Sequence, residues 1–217
     1  MKFNLNAGCV RLGGIASLLF GLALALAGPA AAHHPTGKRM PATFLDGFLS
    51  GIGHPVIGPD HLAFIVTIGI AAALVPAGVS LIVAFIATST AGVLIHAATR
   101  LDVPLSEPLI ALSVVAAGAL VALGRKSAAS SWLALAAVAG LCHGYAFGET
   151  VVGAERAVIG AYLAGLALIA TVIAFATMHL APSVLALADA TSPRRRTAGA
   201  VISCIGLAVL ASQFGAG

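Results

Sequence analysis

His54, Asp60 and His61 fall within eight residues of one another, in the stretch GHPVIGPDH that runs from 53 to 61. Two imidazoles and a carboxylate together suit a borderline divalent ion such as nickel, cobalt or zinc, which accepts nitrogen and oxygen donors. Pro55, Gly58 and Pro59 are interleaved with them. Prolines remove backbone donors and push the preceding residue out of helical geometry, so the segment is expected to break a helix. A reading without an ion also exists: Asp60 caps a helix and His61 bonds a nearby carbonyl. A second polar stretch, GLCHGYAFGETVVGAE at 140–155, holds His143, Glu149 and Glu155. Gly140, Gly144 and Gly148 recur there every four residues, which gives one smooth face for close approach of another helix. His143 adjoins that face and is a fourth candidate ligand. Glu149 and Glu155 are placed to attract cations at a mouth. His96 and His179 fall near helix ends, where an interfacial role is the default and a contact on the ion's route is the alternative. His33 and His34, in HHPTGK, would form an outer capture patch.

The elements that carry these residues follow from composition. The 217-residue chain is 60% hydrophobic and 8% charged, against roughly 25% charged in soluble domains. It is expected to be an all-α, polytopic membrane protein. The net charge of +4 resides in short connections and reports topology, with lipid headgroups and not nucleic acid as its partner. Residues 1–32 read as a signal peptide: a charged start, an apolar run and the AAA at 30–32. Residues 33–217 then form one transmembrane domain, with spans near 43–75, 77–98, 107–123, 131–147, 157–180 and 197–214. Arg125, Lys126 and Arg194 to Arg196 fall in two loops on one side, and the positive-inside rule makes that side cytoplasmic. Both the mature N-terminus and the C-terminus are then outside. Trp132 is expected at the cytoplasmic interface as an aromatic anchor.

The first span is too long for one helix. Residues 43–75 would extend about 50 Å at 1.5 Å per residue, well beyond a hydrocarbon core of about 30 Å. The expectation is a short outer segment over 43–53, a kink, and a helix from Pro59 to about Leu74. Non-helical backbone inside a membrane is tolerated only where protein or a wet cavity surrounds it. Ionisable groups there normally face the bundle interior, and transporters use such interrupted helices to hold ions.

The pattern His54-Pro55-x-x-Gly58-x-Asp60-His61, followed by Phe64 and Gly69, resembles the signature of the HupE/UreJ family of small metal permeases. The leader, the six spans and the later HG…GE…GAE element are also similar to that family. The resemblance implies uptake of Ni2+ or Co2+ as transported substrate across a bacterial inner membrane. It also implies a link to hydrogenase, urease or cobalamin pathways, and ion binding by His54, Asp60 and His61. Many members carry a second histidine in the later motif where this chain has Phe147, which puts the identity of the metal in question. The expected function is therefore a secondary permease for a divalent transition metal, nickel before cobalt, and not an enzyme. An intramembrane metalloenzyme and a metal-sensing accessory subunit are the rival readings. No H-E-x-x-H pair, G-x-S-x-G elbow or Walker loop is present to support catalysis or ATP coupling.

Overall fold

The computed structural model describes residues 40–101, 103, 106–124 and 128–214. The expected signal peptide, His33, His34, Arg125 and Lys126 lie outside the described residues. Seven α-helices and one 3-10 turn make up the described chain, without strands: α1 Phe44–Ile57, α2 Pro59–Leu74, α3 Gly78–Thr99, α4 Ser106–Leu123, α5 Ala129–Gly148, the turn Glu149–Val151, α6 Arg156–Val184 and α7 Pro193–Phe214. Five of these helices are long and apolar enough to cross a membrane, and α1 and α2 pass the same test taken together.

α1 and α2 meet at 81°. Thr43 and Asp46 start α1 with a reciprocal cap, in which Asp46 N–H donates to Thr43 Oγ1 and Thr43 N–H donates to Asp46 Oδ2, both at 3.1 Å. The break that ends it is narrower than expected. α1 runs through Pro55 to Ile57, because Gly58 N–H donates to His54 O at 3.1 Å and keeps the last turn closed. Only Gly58 leaves the helix, at φ −73° and ψ 111°, the extended geometry that the following Pro59 imposes. Pro59 then opens α2 at its first position, where a missing N–H is no loss.

α2 is the hub. Twelve of its sixteen residues are buried, as expected of a helix that is apolar on every side, and it packs against α6, α3, α4 and α7. Around it the helices pair through small residues that let backbones touch. A Cβ on Gly144 would overlap the backbone of Ser89, and one on Gly148 would stand 2.8 Å from His96 Cβ, so the glycine face of α5 lies on α3. Gly118 and Gly199 join α4 to α7 in the same way, and Gly51 and Gly165 join α1 to α6.

α1 and α2 contact successive stretches of α6. Gly47 and Gly51 meet Val158 and Tyr162, and further on Gly69 meets Ala174 and Thr177. The bent pair therefore lies against α6 at both ends, and taken as one span it brings the candidate crossings among the described residues to six. Outward faces carry apolar side chains such as Leu94, Val172 and Leu207, which suits lipid contact. Trp132 is 3% exposed and packs into the core instead of anchoring outward. A cavity of about 350 Å³ beside it is lined by Val75, Leu120, Leu187 and Arg195, and gives its ring a wall to fill.

Candidate functional site

The 81° break puts the end of α1 against the start of α2, and the two imidazoles that flank it come together. His54 is 1% exposed and His61 is fully buried. Their ring centroids are 5.6 Å apart, edge to face. Gly58 allows this approach: a Cβ there would stand 2.6 Å from His61 Cδ2. Asp60, 3% exposed, accepts the backbone N–H of His61 on Oδ1 at 2.8 Å. That is a natural place for a carboxylate, at the positive end of the α2 dipole.

Each imidazole is held on its Nδ1 side. His54 Nδ1 lies 2.9 Å from Tyr162 Oη and 2.9 Å from Thr150 Oγ1. Tyr162 in turn donates to Phe147 O at 2.8 Å. His61 Nδ1 lies 2.9 Å from His143 Nδ1. His143 is fully buried, and its Nε2 lies 3.0 Å from Ser113 Oγ, which donates to Ile110 O at 2.7 Å. Both nitrogens of His143 are therefore engaged by protein groups. Phe147 closes the site from one side, with ring centroids 4.4 Å from His61 and 5.1 Å from His54. Phe64 lies tilted against His143, with ring centroids 4.6 Å apart. The imidazoles are thus buried among aromatic rings and hydroxyl groups.

The remaining candidates lie elsewhere. Glu149 and Glu155 are exposed at the far end of α5 and the start of α6. His96 is 7% exposed, stacks on Tyr145 at 4.2 Å and pairs through Nδ1 with Tyr145 O at 2.6 Å. Tyr145 Oη also donates to Leu101 O. These contacts clamp the ends of α3 and α5 together. His179 is exposed and its Nδ1 donates back to Phe175 O at 2.8 Å, within α6. His143 lies about 7.5 Å short of the Gly148 end of α5 and about 7 Å from its midpoint at 1.5 Å per residue, so the site sits between the middle of that helix and its end.

Among the described residues, no group of three or more His, Cys, Asp or Glu side chains is arranged to hold a metal ion. What the arrangement offers is two buried imidazoles across a helix break, with a carboxylate at the same break. Sequence reasoning missed Tyr162, Thr150 and Ser113, which hold the rings from three other elements. It also missed Ser50, one turn before His54 on the same face. Ser50 is 1% exposed, and its hydroxyl has no hydrogen-bond partner among the described residues. Residues 21–209 match the family model described as HupE / UreJ protein. No curated protein and no solved structure matches the chain significantly.

Proposed function

Since this chain belongs to the HupE/UreJ family, a family of nickel and cobalt transport proteins, we propose that it is a permease for a divalent transition metal, with Ni2+ the first substrate and Co2+ the second. His54 and His61 supply the nitrogen ligands, and Asp60 supplies the charge that offsets the cation. The observation that carries this reading is the pair of buried imidazoles meeting across the Gly58 break. Two imidazoles bound to one tetrahedral ion at about 2.0–2.1 Å hold their centroids about 5.3 Å apart, and here the distance is 5.6 Å. Two nitrogen ligands with a nearby carboxylate as counter-charge bind without caging, and an ion that must leave again requires that.

His143 serves this site through His61, since its own nitrogens are taken. The ion approaches from the end that carries Glu149 and Glu155, passes Ser50, and leaves along α2. By the positive-inside rule we take that end as outside, in the inner membrane of a bacterium, and the flux as inward. Moving a dication down a 100 mV potential releases about 4.6 kcal/mol, twice the single-charge figure. The metal then serves a maturation pathway for hydrogenase, urease or cobalamin.

The test is flux of nickel, cobalt, zinc and copper into proteoliposomes containing this protein alone. Nickel or cobalt entry, lost in His54→Ala and His61→Ala variants that still insert, supports the reading. Metal retained without flux would favour an intramembrane metalloenzyme or a sensor. Uptake that persists in His61→Ala would overturn the site.

A further inference from the structure

We infer that Tyr162 and Ser113 are positioning residues that fix the tautomer of the two site imidazoles, so that each offers its Nε2 lone pair and keeps its proton on Nδ1. The inference rests on the metal-permease reading for its purpose and on proton counting for its content. A hydroxyl has one proton. Tyr162 spends its proton on Phe147 O at 2.8 Å, so it faces His54 Nδ1, at 2.9 Å, with a lone pair. His54 Nδ1 must then carry the proton, and in a neutral ring Nε2 carries the lone pair. Thr150 Oγ1, at 2.9 Å from the same Nδ1, adds a second oxygen around that proton.

The other chain is one link longer and has the same sense. Ser113 gives its proton to Ile110 O at 2.7 Å, so its oxygen accepts from His143 Nε2 at 3.0 Å. With Nε2 protonated, neutral His143 has a lone pair on Nδ1. The proton between His143 and His61, whose Nδ1 atoms are 2.9 Å apart, therefore belongs to His61. Each relay ends on a backbone carbonyl, which accepts and never donates. With the two hydroxyl protons on those carbonyls, both relays run in the same sense.

This polarity has a chemical consequence. A cation is bound by a lone pair and repelled by an N–H, and a histidine that ligates through one nitrogen donates from the other. Partners of this kind typically change metal affinity by about 10- to 100-fold when removed. The relays arrive from α4, α5, α6 and the turn after α5, so four elements converge on two rings whose orientation they share.

The experiment uses the full chain in lipid nanodiscs with 15N-labelled histidine, without metal, together with nickel flux in proteoliposomes. The variants are Tyr162→Phe, which keeps the ring and its packing, and Ser113→Ala, with Ser113→Thr as the conservative rescue. The parent should give Nδ1–H spectra for His54 and His61 and an Nε2–H spectrum for His143. Tyr162→Phe should mix the His54 tautomers, and Ser113→Ala those of His143 and His61. Both should raise KM for nickel by about 10- to 100-fold with a smaller change in maximal rate, while Ser113→Thr restores both readouts. Unchanged tautomers in Tyr162→Phe and Ser113→Ala, or an unchanged KM where His61→Ala abolishes uptake, would overturn the inference. If His61→Ala transports normally, the permease site falls, and the tautomer assignment stands or falls on the spectra alone.

Discussion

Replacing Gly58 by alanine isolates the approach of His61 to the break. The backbone there, at φ −73° and ψ 111°, suits any L-residue, so alanine introduces no backbone strain. It also narrows the unfolded ensemble, which favours folding by about 0.4–1 kcal/mol. The cost falls on the imidazole. The new Cβ would stand 2.6 Å from His61 Cδ2 and 3.3 Å from its Cγ, whereas carbon atoms rest about 3.5–4.0 Å apart. The ring must move by about 1 Å. Its bond to His143, now 2.9 Å long, would stretch past the roughly 3.2 Å at which such bonds weaken. Overpacking of this kind costs about 1–3 kcal/mol, equivalent to roughly 5- to 150-fold in apparent affinity. Concentration-dependent nickel uptake in proteoliposomes measures it, with Gly160→Ala as the control because nothing lies within 4 Å of that Cβ. The expected result is a Gly58→Ala protein that inserts, melts somewhat below the parent and needs far more nickel. Unchanged affinity, or equal impairment of Gly160→Ala, would refute the claim that ring placement at the break governs binding.

Three further substitutions probe other links. Phe147→His places a third imidazole beside His54 and His61, whose centroids are 5.1 and 4.4 Å away; metal should be held at least tenfold more tightly by equilibrium dialysis and released more slowly in flux, and unchanged affinity would count against the site. Gly144→Val drives a side chain into the backbone of Ser89, where nothing flexible can yield. The melting temperature in detergent should drop by an amount reflecting roughly 3 kcal/mol or more, and an intact melt would deny the α3–α5 contact. Asp189, in the α6–α7 connection, has its carboxyl held below the usual range chiefly because the Thr191 hydroxyl donates to it at 2.7 Å, with the Thr191 N–H at 2.8 Å and the charge of Arg195 adding to the effect. A depressed carboxyl contributes stability above its unfolded pKa and loses it as pH falls through the folded one. Thr191→Val should therefore lower the melting temperature at neutral pH and flatten its fall between about pH 5 and pH 2. An unmoved profile would mean that this carboxyl does not contribute.

The sequence announces the crossings and the break because both rest on local chemistry. A run of apolar residues must be helical in lipid, and Pro59 constrains the residue before it wherever the chain goes. The glycine face of α5 is legible for the same reason, since its period belongs to one helix. Pro55 shows the limit of that logic. Its type argues for a break, yet α1 continues past it because a single hydrogen bond from Gly58 closes the turn. Trp132 shows another limit: its place at the start of α5 follows from the sequence, but whether its ring faces lipid or core depends on a cavity built by α2, α4 and the α6–α7 connection. The site divides along the same line. His54, Asp60 and His61 stand out because ionisable groups are rare in lipid. Tyr162, Thr150 and Ser113 do not, because hydroxyls are common in spans and usually bond their own helix, as Thr67 does with Ala63 O at 2.6 Å. Only packing separates the two cases. Tyr162 carried a weak signal, a tyrosine set inside an apolar run and not at its edge. His54 is 108 positions away in sequence, and no local rule spans that gap. The candidate ligand types are therefore a property of the sequence, while the partners that hold their rings are a property of the fold.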